Sequence, residues 1–177
     1  ATSNNNNNIH LLIIGPDEEN IKFQVQKICQ SIIEKIHFID FTDRPEKFMT
    51  SADIFCLPSY REGFGMAALE AGACALPTVT SNIYGLTDAV SENETGLFHE
   101  PGDLMGMADS ILKLINDKNL RIEMGQKGRE RTKNLFEKKY VTSELVNFIN
   151  YSYKKLLKKK IIIISSTEIS IRAFLLE

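Results

Sequence analysis

Glu62 and Glu70, with seven residues between them, frame the part of this sequence whose residue types can do chemistry: PSYREGFGMAALEAGACALP, residues 58–77. A carboxylate accepts hydrogen bonds, so each acid suits a hydroxyl-rich partner such as a ribose or a hexose. Between the acids, Gly63 and Gly65 bracket Phe64, letting the backbone turn tightly and approach a ligand with no Cβ in the way. A helix opening near Gly65 or Met66 would point its unpaired amides, and the positive end of its dipole, into the same space, which suits a phosphate. Amides for a diphosphate, flanked by acids for hydroxyls, describe a site for a nucleotide-diphosphate sugar.

Each feature also has a plainer reading. Gly63-Phe64-Gly65-Met66-Ala67-Ala68 satisfies the G-x-G-x-x-A dinucleotide pattern. Residues 58–62, however, separate it from the strand it should follow, and Glu62 would repel a pyrophosphate. Glu62 taken alone reads equally as a solvated loop acid, and Glu70 as a surface helix residue. Ala67, Ala68, Ala71, Gly72 and Ala73 read as small residues that let a helix lie close to a sheet. Phe64, held between two glycines, reads as a wall of the ligand site with a core aromatic as the alternative. His10, His37 and His99 are isolated and read as structural, so neither a metal nor a cofactor is expected.

The elements that must position these residues follow from apolar periodicity. The run 9–16 (IHLLIIGP) is short, apolar and stopped by Gly-Pro, as in a strand buried on both faces. Residues 17–33 carry Ile21, Val25, Ile28, Cys29 and Ile32 at helical spacing. Residues 36–41 read as a second strand, 44–50 as a short helix, and 53–57 as a third strand ended by Pro58-Ser59. A small-residue helix over 66–74 is closed by Pro77, and 78–80 and 96–99 add two short strands. The last third is helical. One helix opens at Asp103, with Leu104, Met107, Ile111, Leu112 and Ile115 on one face; others span 120–133 and 138–157. Strands alternating with helices in this way predict an α/β fold with a doubly wound, mostly parallel sheet. Ligands then belong beyond the carboxyl ends of the strands.

Composition narrows the class further. At 43% hydrophobic and 25% charged, 177 residues make one globular domain, with or without a tail, and exclude disorder, collagen and coiled coil. A net charge of −2, from 21 Lys and Arg against 23 Asp and Glu, supplies no field for a nucleic-acid partner. Cys29, Cys56 and Cys74 form no Cys-x-x-Cys pair and read as reduced, mostly buried thiols of a cytoplasmic protein. No apolar stretch approaches the roughly 20 residues of a membrane helix. Residues 1–8 (ATSNNNNN) read as a disordered leader or linker. Lys154, Lys155 and the lysines at 158–160 make a basic cluster that could favour anionic lipid, with a solvated helix end as the alternative.

With these residues in view, Glu62 and Glu70 within PSYREGFGMAALEAGACALPTV resemble the E-x7-E signature of retaining family 4 (group 1) glycosyltransferases, enzymes of the GT-B fold. The resemblance continues through Ser81-Asn82-Ile83-Tyr84-Gly85-Leu86-Thr87-Asp88-Ala89-Val90, Glu94-Thr95-Gly96-Leu97-Phe98 and Pro101-Gly102-Asp103. It ends in the helix of Met124-Gly125 and Arg129, so it spans residues 9–157. The IYGLTDAV run is similar to that of bacterial enzymes that build capsular and other surface polysaccharides on lipid carriers. The resemblance implies that residues 9–160 are a Rossmann-like donor-binding domain, one half of a GT-B enzyme. It implies that Glu62 and Glu70 are the catalytic pair, Glu70 binding the ribose and Glu62 the donor sugar near its reacting end. Gly63, Phe64, Gly65 and Met66 would meet the sugar and diphosphate through their backbone, and Asp40 and Phe41 would hold the base. The implied partner is a UDP- or GDP-linked sugar, transferred with retention and with no divalent metal.

The same resemblance implies pieces that are not in this sequence. An enzyme of the family has an N-terminal acceptor-binding domain, and its donor domain opens with a strand, a Gly-Arg turn and a Lys that grip the diphosphate. Arg61 is the nearest base in the motif but does not occupy either position. The missing strand would be central in the order 3-2-1-4-5-6. A further expectation is therefore that the tail, 161–177, completes the sheet: the four isoleucines 161–164 would pair between 9–14 and 53–57, and 168–176 would replace the lost helix. A partner chain or a homodimer contact is the alternative cover. On this reading the isolated chain, at the inner face of the membrane or free in the cytoplasm, is inactive without the acceptor domain. The alternative is a non-catalytic nucleotide-sugar-binding module or a degenerate remnant.

Overall fold

Parallel pairing dominates the computed structural model, which describes residues 9–156 apart from Glu18. The leader 1–8, the lysines at 158–160 and the expected strand at 161–164 lie outside the described residues. The chain runs β1 (Leu11–Ile14), α1 (Ile21–Ile28), a 3-10 stretch (Gln30–Lys35), β2 (Ile36–Ile39), α2 (Glu46–Met49) and β3 (Phe55–Leu57). It continues α3 (Met66–Ala73), β4 (Thr78–Ser81), α4 (Leu86–Ala89), β5 (Gly96–His99), α5 (Leu104–Asn116), α6 (Lys118–Phe136) and α7 (Lys138–Leu156). β1 pairs with β2, and β3, β4 and β5 form a second ladder in that order, all parallel. Parallel neighbours require a crossover, and α1, α3 and α4 lie within those crossovers. The expected α/β class with a parallel sheet therefore holds, as two ladders among the described residues.

The core lies on the two faces of β3–β5, as the period-2 alternation of strands requires. Cys56, Val79 and Leu97 face Leu114 of α5 and Met124 of α6. Phe55, Leu57 and Phe98 face the other way, onto Ala68 and Leu69 of α3 and Leu86 and Ala89 of α4. α6 reaches both sides: Met124 sits in the first cluster, while Phe136 packs against the second. Ala68 and Ala71 are buried on the sheet side as expected, but Gly72 serves a helix instead. A Cβ there would stand 2.8 Å from Thr132 Oγ1 and 3.3 Å from the Gly128 carbonyl of α6. Asp103 caps α5 by accepting from the Gly106 amide (2.9 Å), and Asp117 caps α6 by accepting from the Leu120 amide (2.9 Å).

Four expectations are corrected. β1 is not buried on both faces: Leu11 is 49% and Leu12 and Ile14 are 38% exposed. Its only ladder among the described residues is to β2, so two strands are left to cover each other. The helix expected over 17–33 divides at Cys29, where φ −102° and ψ 29° break the α-helix. The Ile32-Ile33 pair that follows is β-branched and a weak helix former, and the chain tightens into the 3-10 stretch. On α5 the inward face is Met107, Ile111 and Leu114; Leu104 and Leu112 are exposed. Finally, Cys29, Cys56 and Cys74 are free but half-buried rather than buried.

Candidate functional site

Because β3, β4 and β5 run parallel, the loops that leave their carboxyl ends share one rim. β3 is fastened there by Thr80 Oγ1, which donates to the Leu57 carbonyl at 3.0 Å. The chain then enters the turn that carries Glu62. Ser59 Oγ donates to Glu62 Oε1 at 2.8 Å, fixing the carboxylate of a half-buried acid. The turn is braced from the next loop by Gly85, at φ +92°. A Cβ on Gly85 would stand 2.7 Å from the Glu62 carbonyl oxygen and 2.8 Å from that of Gly63, so only glycine allows this approach. Gly65, at φ +66°, ends the turn and begins α3, and a Cβ on it would strike Leu86 Cδ2.

The start of α3 is open. No side chain caps it. The first amides to find a backbone acceptor are those of Ala68 and Leu69, both on the Gly65 carbonyl at 2.9 and 3.3 Å. Donors ahead of them are the groups a helix N-terminus offers an anion. Glu70 lies on the exposed side of α3 beyond this turn. Burial first, then the carboxylates of Glu46 and Glu70, push the Cys74 thiol above its ordinary value. Phe64 is 37% exposed and meets Phe136 of α6 edge-on, centroids 5.6 Å apart, so one edge of the expected ligand wall leans on protein. Met66 is 60% exposed. Arg131 steadies the neighbourhood: its guanidinium lies 5.7 Å from the Phe136 centroid and its Nη2 donates to the Asp88 carbonyl at 2.9 Å.

The structure thus brings Glu62, Gly63 and Gly65 together with Gly85 and Leu86, and sets Met66 and Glu70 on the helix that follows. Asp40 and Phe41 belong to the other ladder. They follow β2, where the Gly15 amide reaches both the Ile39 and Asp40 carbonyls (3.0 and 3.1 Å), and both side chains are exposed. Two residues that shape the turn escaped the sequence reading of roles. Ser59 carries the S-x-x-E spacing of a capping box, which was a legible signal. Gly85 follows Tyr84 at the mouth of a helix of four residues, too short for periodicity to announce.

The histidines are not isolated. His10 Nδ1 lies 3.0 Å from His37 Nε2 with the rings stacked at 5.3 Å, because the parallel register of β1 and β2 puts both on one face. His99 donates from Nδ1 to the Glu100 carbonyl at 2.9 Å. Among the described residues no group of three or more His, Cys, Asp or Glu is placed to hold a metal ion, and no helix is long and apolar enough to cross a membrane.

Comparison with known proteins identifies the family. The family model for glycosyl transferases group 1 matches residues 1–131. The capsular polysaccharide biosynthesis glycosyltransferase CapM of Staphylococcus aureus is 35% identical over 149 residues, which are 84% of this chain and 39% of CapM. Among solved structures, the sucrose-phosphate synthase of Thermosynechococcus elongatus superposes with a TM-score of 0.72 at 27% identity, over 82% of this chain and 39% of that one. A mutant of Staphylococcus aureus TarM in complex with fondaparinux, alpha-GlcNAc-glycerol and UDP superposes with a TM-score of 0.68 at 28% identity, over 80% and 28%. The chain therefore spans well under half the length of the proteins it matches. The turn, the fold and the family match agree: this chain belongs to the group 1 glycosyl transferases.

Proposed function

We propose that this chain is the donor-binding part of a retaining glycosyltransferase that moves a sugar from a UDP- or GDP-linked donor to a polysaccharide or lipid-linked acceptor. The observation that carries the reading is the fixed turn: Glu62 held by Ser59 and backed by Gly85, immediately before the uncapped start of α3. On this reading Glu70 accepts from ribose hydroxyls and Glu62 from hydroxyls of the donor sugar. The amides that open α3 hold the diphosphate, and they stabilise the charge that grows on it as the glycosidic bond breaks. Asp40 and Phe41 receive the base, and residues 9–160 act as one donor-binding domain. The UDP held by TarM supports a uridine nucleotide, and the name of CapM supports a surface-polysaccharide acceptor. Acceptor-binding groups then belong largely to the portion of the relatives that this chain does not match.

Calorimetric titration of the chain with UDP, GDP and UDP-glucose tests this. At least one nucleotide should bind, and Glu70→Ala should weaken it about 10- to 100-fold, the worth of hydrogen bonds to a charged acceptor. Glu62→Ala should weaken UDP-glucose more than UDP. Absence of binding by either nucleotide would overturn the reading.

A further inference from the structure

Two aromatic rings on the rim are left in water by the described packing. Tyr60 is 78% exposed and Tyr84 is 85% exposed. A Cβ on Gly102 would stand 3.2 Å from the Tyr60 hydroxyl, so Tyr60 reaches from the loop after β3 to the loop after β5. It must pass over the end of β4, which lies between those strands. Tyr84 directly precedes Gly85, the residue pressed onto the Glu62 and Gly63 carbonyls. In the same rim Asn82 Nδ2 donates to Glu100 Oε1 at 3.3 Å, and both of these residues are exposed.

We propose that Tyr60, Tyr84 and the Asn82–Glu100 pair form a saccharide subsite that receives the acceptor sugar. The inference rests on the donor reading above, which runs from ribose at Glu70 to sugar at Glu62. Both tyrosines belong to the Glu62 end of that line: Tyr60 is two residues before Glu62, and Tyr84 adjoins the glycine that backs it. What binds there lies beyond the donor sugar, where an acceptor must come. The chemistry fits a pyranose. An aromatic face covers the C–H face of a sugar ring, while a phenol, an amide and a carboxylate meet its hydroxyls. An apolar peptide would leave the amide–carboxylate pair without use.

Saturation-transfer NMR on the chain, with UDP present, tests the proposal using methyl glycosides of glucose, galactose, N-acetylglucosamine and N-acetylgalactosamine. At least one glycoside should receive signal, with an affinity in about the millimolar range. The Tyr60→Ala/Tyr84→Ala double variant should weaken it about tenfold, and the corresponding double Phe variant should retain it, since the rings remain. UDP affinity should stay unchanged in both variants. UDP binding with no glycoside signal, or a signal unmoved in the Ala variant, would overturn the tyrosine subsite alone. Failure of the unaltered chain to bind either UDP or GDP would overturn the donor reading and the acceptor assignment with it.

Discussion

Ser59 donates to one oxygen of Glu62 at 2.8 Å, which on the proposed donor reading leaves the other oxygen for a ligand hydroxyl. A loop acid held in this way keeps its rotamer before the ligand arrives, so binding loses less entropy. On β3 itself, a different side chain shows what burial alone does. Cys56 sits against Val79, Leu97, Leu114 and Met124, and burial pushes its thiol from the ordinary 9.0 up to about 11. An unfolded chain sheds this proton near pH 9 while the folded chain keeps it, so between pH 9 and 11 the folded state binds more protons. Stability should therefore fall as pH rises through that window, by about 3 kcal/mol from this group once pH 11 is passed. Urea unfolding midpoints across the window should show the decline, and Cys56→Ala should flatten it while lowering stability at neutral pH. At this scale the sequence was informative about residue type: two acids around glycines could be read as a sugar-nucleotide cradle. The supports were harder to read, because Ser59 and Gly85 act through a contact and an approach that exist only after folding.

At the scale of elements, the site depends on how closely two loops meet. Gly85 opens α4 at φ +92°, and its Cα lies against the carbonyls of Glu62 and Gly63. Gly85→Ala places a methyl where those oxygens stand and strains the backbone besides. It should cost on the order of 1–3 kcal/mol in calorimetric melting, and it should weaken UDP-glucose binding because the Glu62 turn must shift. An unchanged melting temperature would show that the turn yields freely. Element types in the half that carries the site were legible because strand and helix periods differ sharply there. α3 was expected over 66–74 and is found over Met66–Ala73. The inward face of α5 was misjudged because Leu104, Leu112 and Leu114 look alike in a sequence. Only the position of the sheet decides that Leu114 is fully buried while Leu104, in the first turn, is exposed.

Over the whole molecule, burial is uneven. The first buried residue among those described is Met49, which packs with Ala71 and Leu76 against Phe55. Both ladders are parallel, yet among the described residues only β3–β5 has apolar clusters on both faces. Backbone amides of β1 and β2 should therefore exchange with deuterium well before those of β4, through openings that cost less than global unfolding. Equal protection in both ladders would show that they open as one unit. The expectation of a doubly covered first strand failed at this scale for a plain reason: an apolar run declares that it needs cover, not what supplies it. The family resemblance, in contrast, was readable across most of the chain, since it rests on blocks in fixed order and not on any one contact.

Three residues long and laddered to β4 alone among the described residues, β3 launches the Glu62 turn from a strand with one flank unclaimed. A peptide splinted along that flank would stiffen the launch point without touching any ligand. On the proposed donor reading, such a splint would act on the acid through the strand that carries its turn.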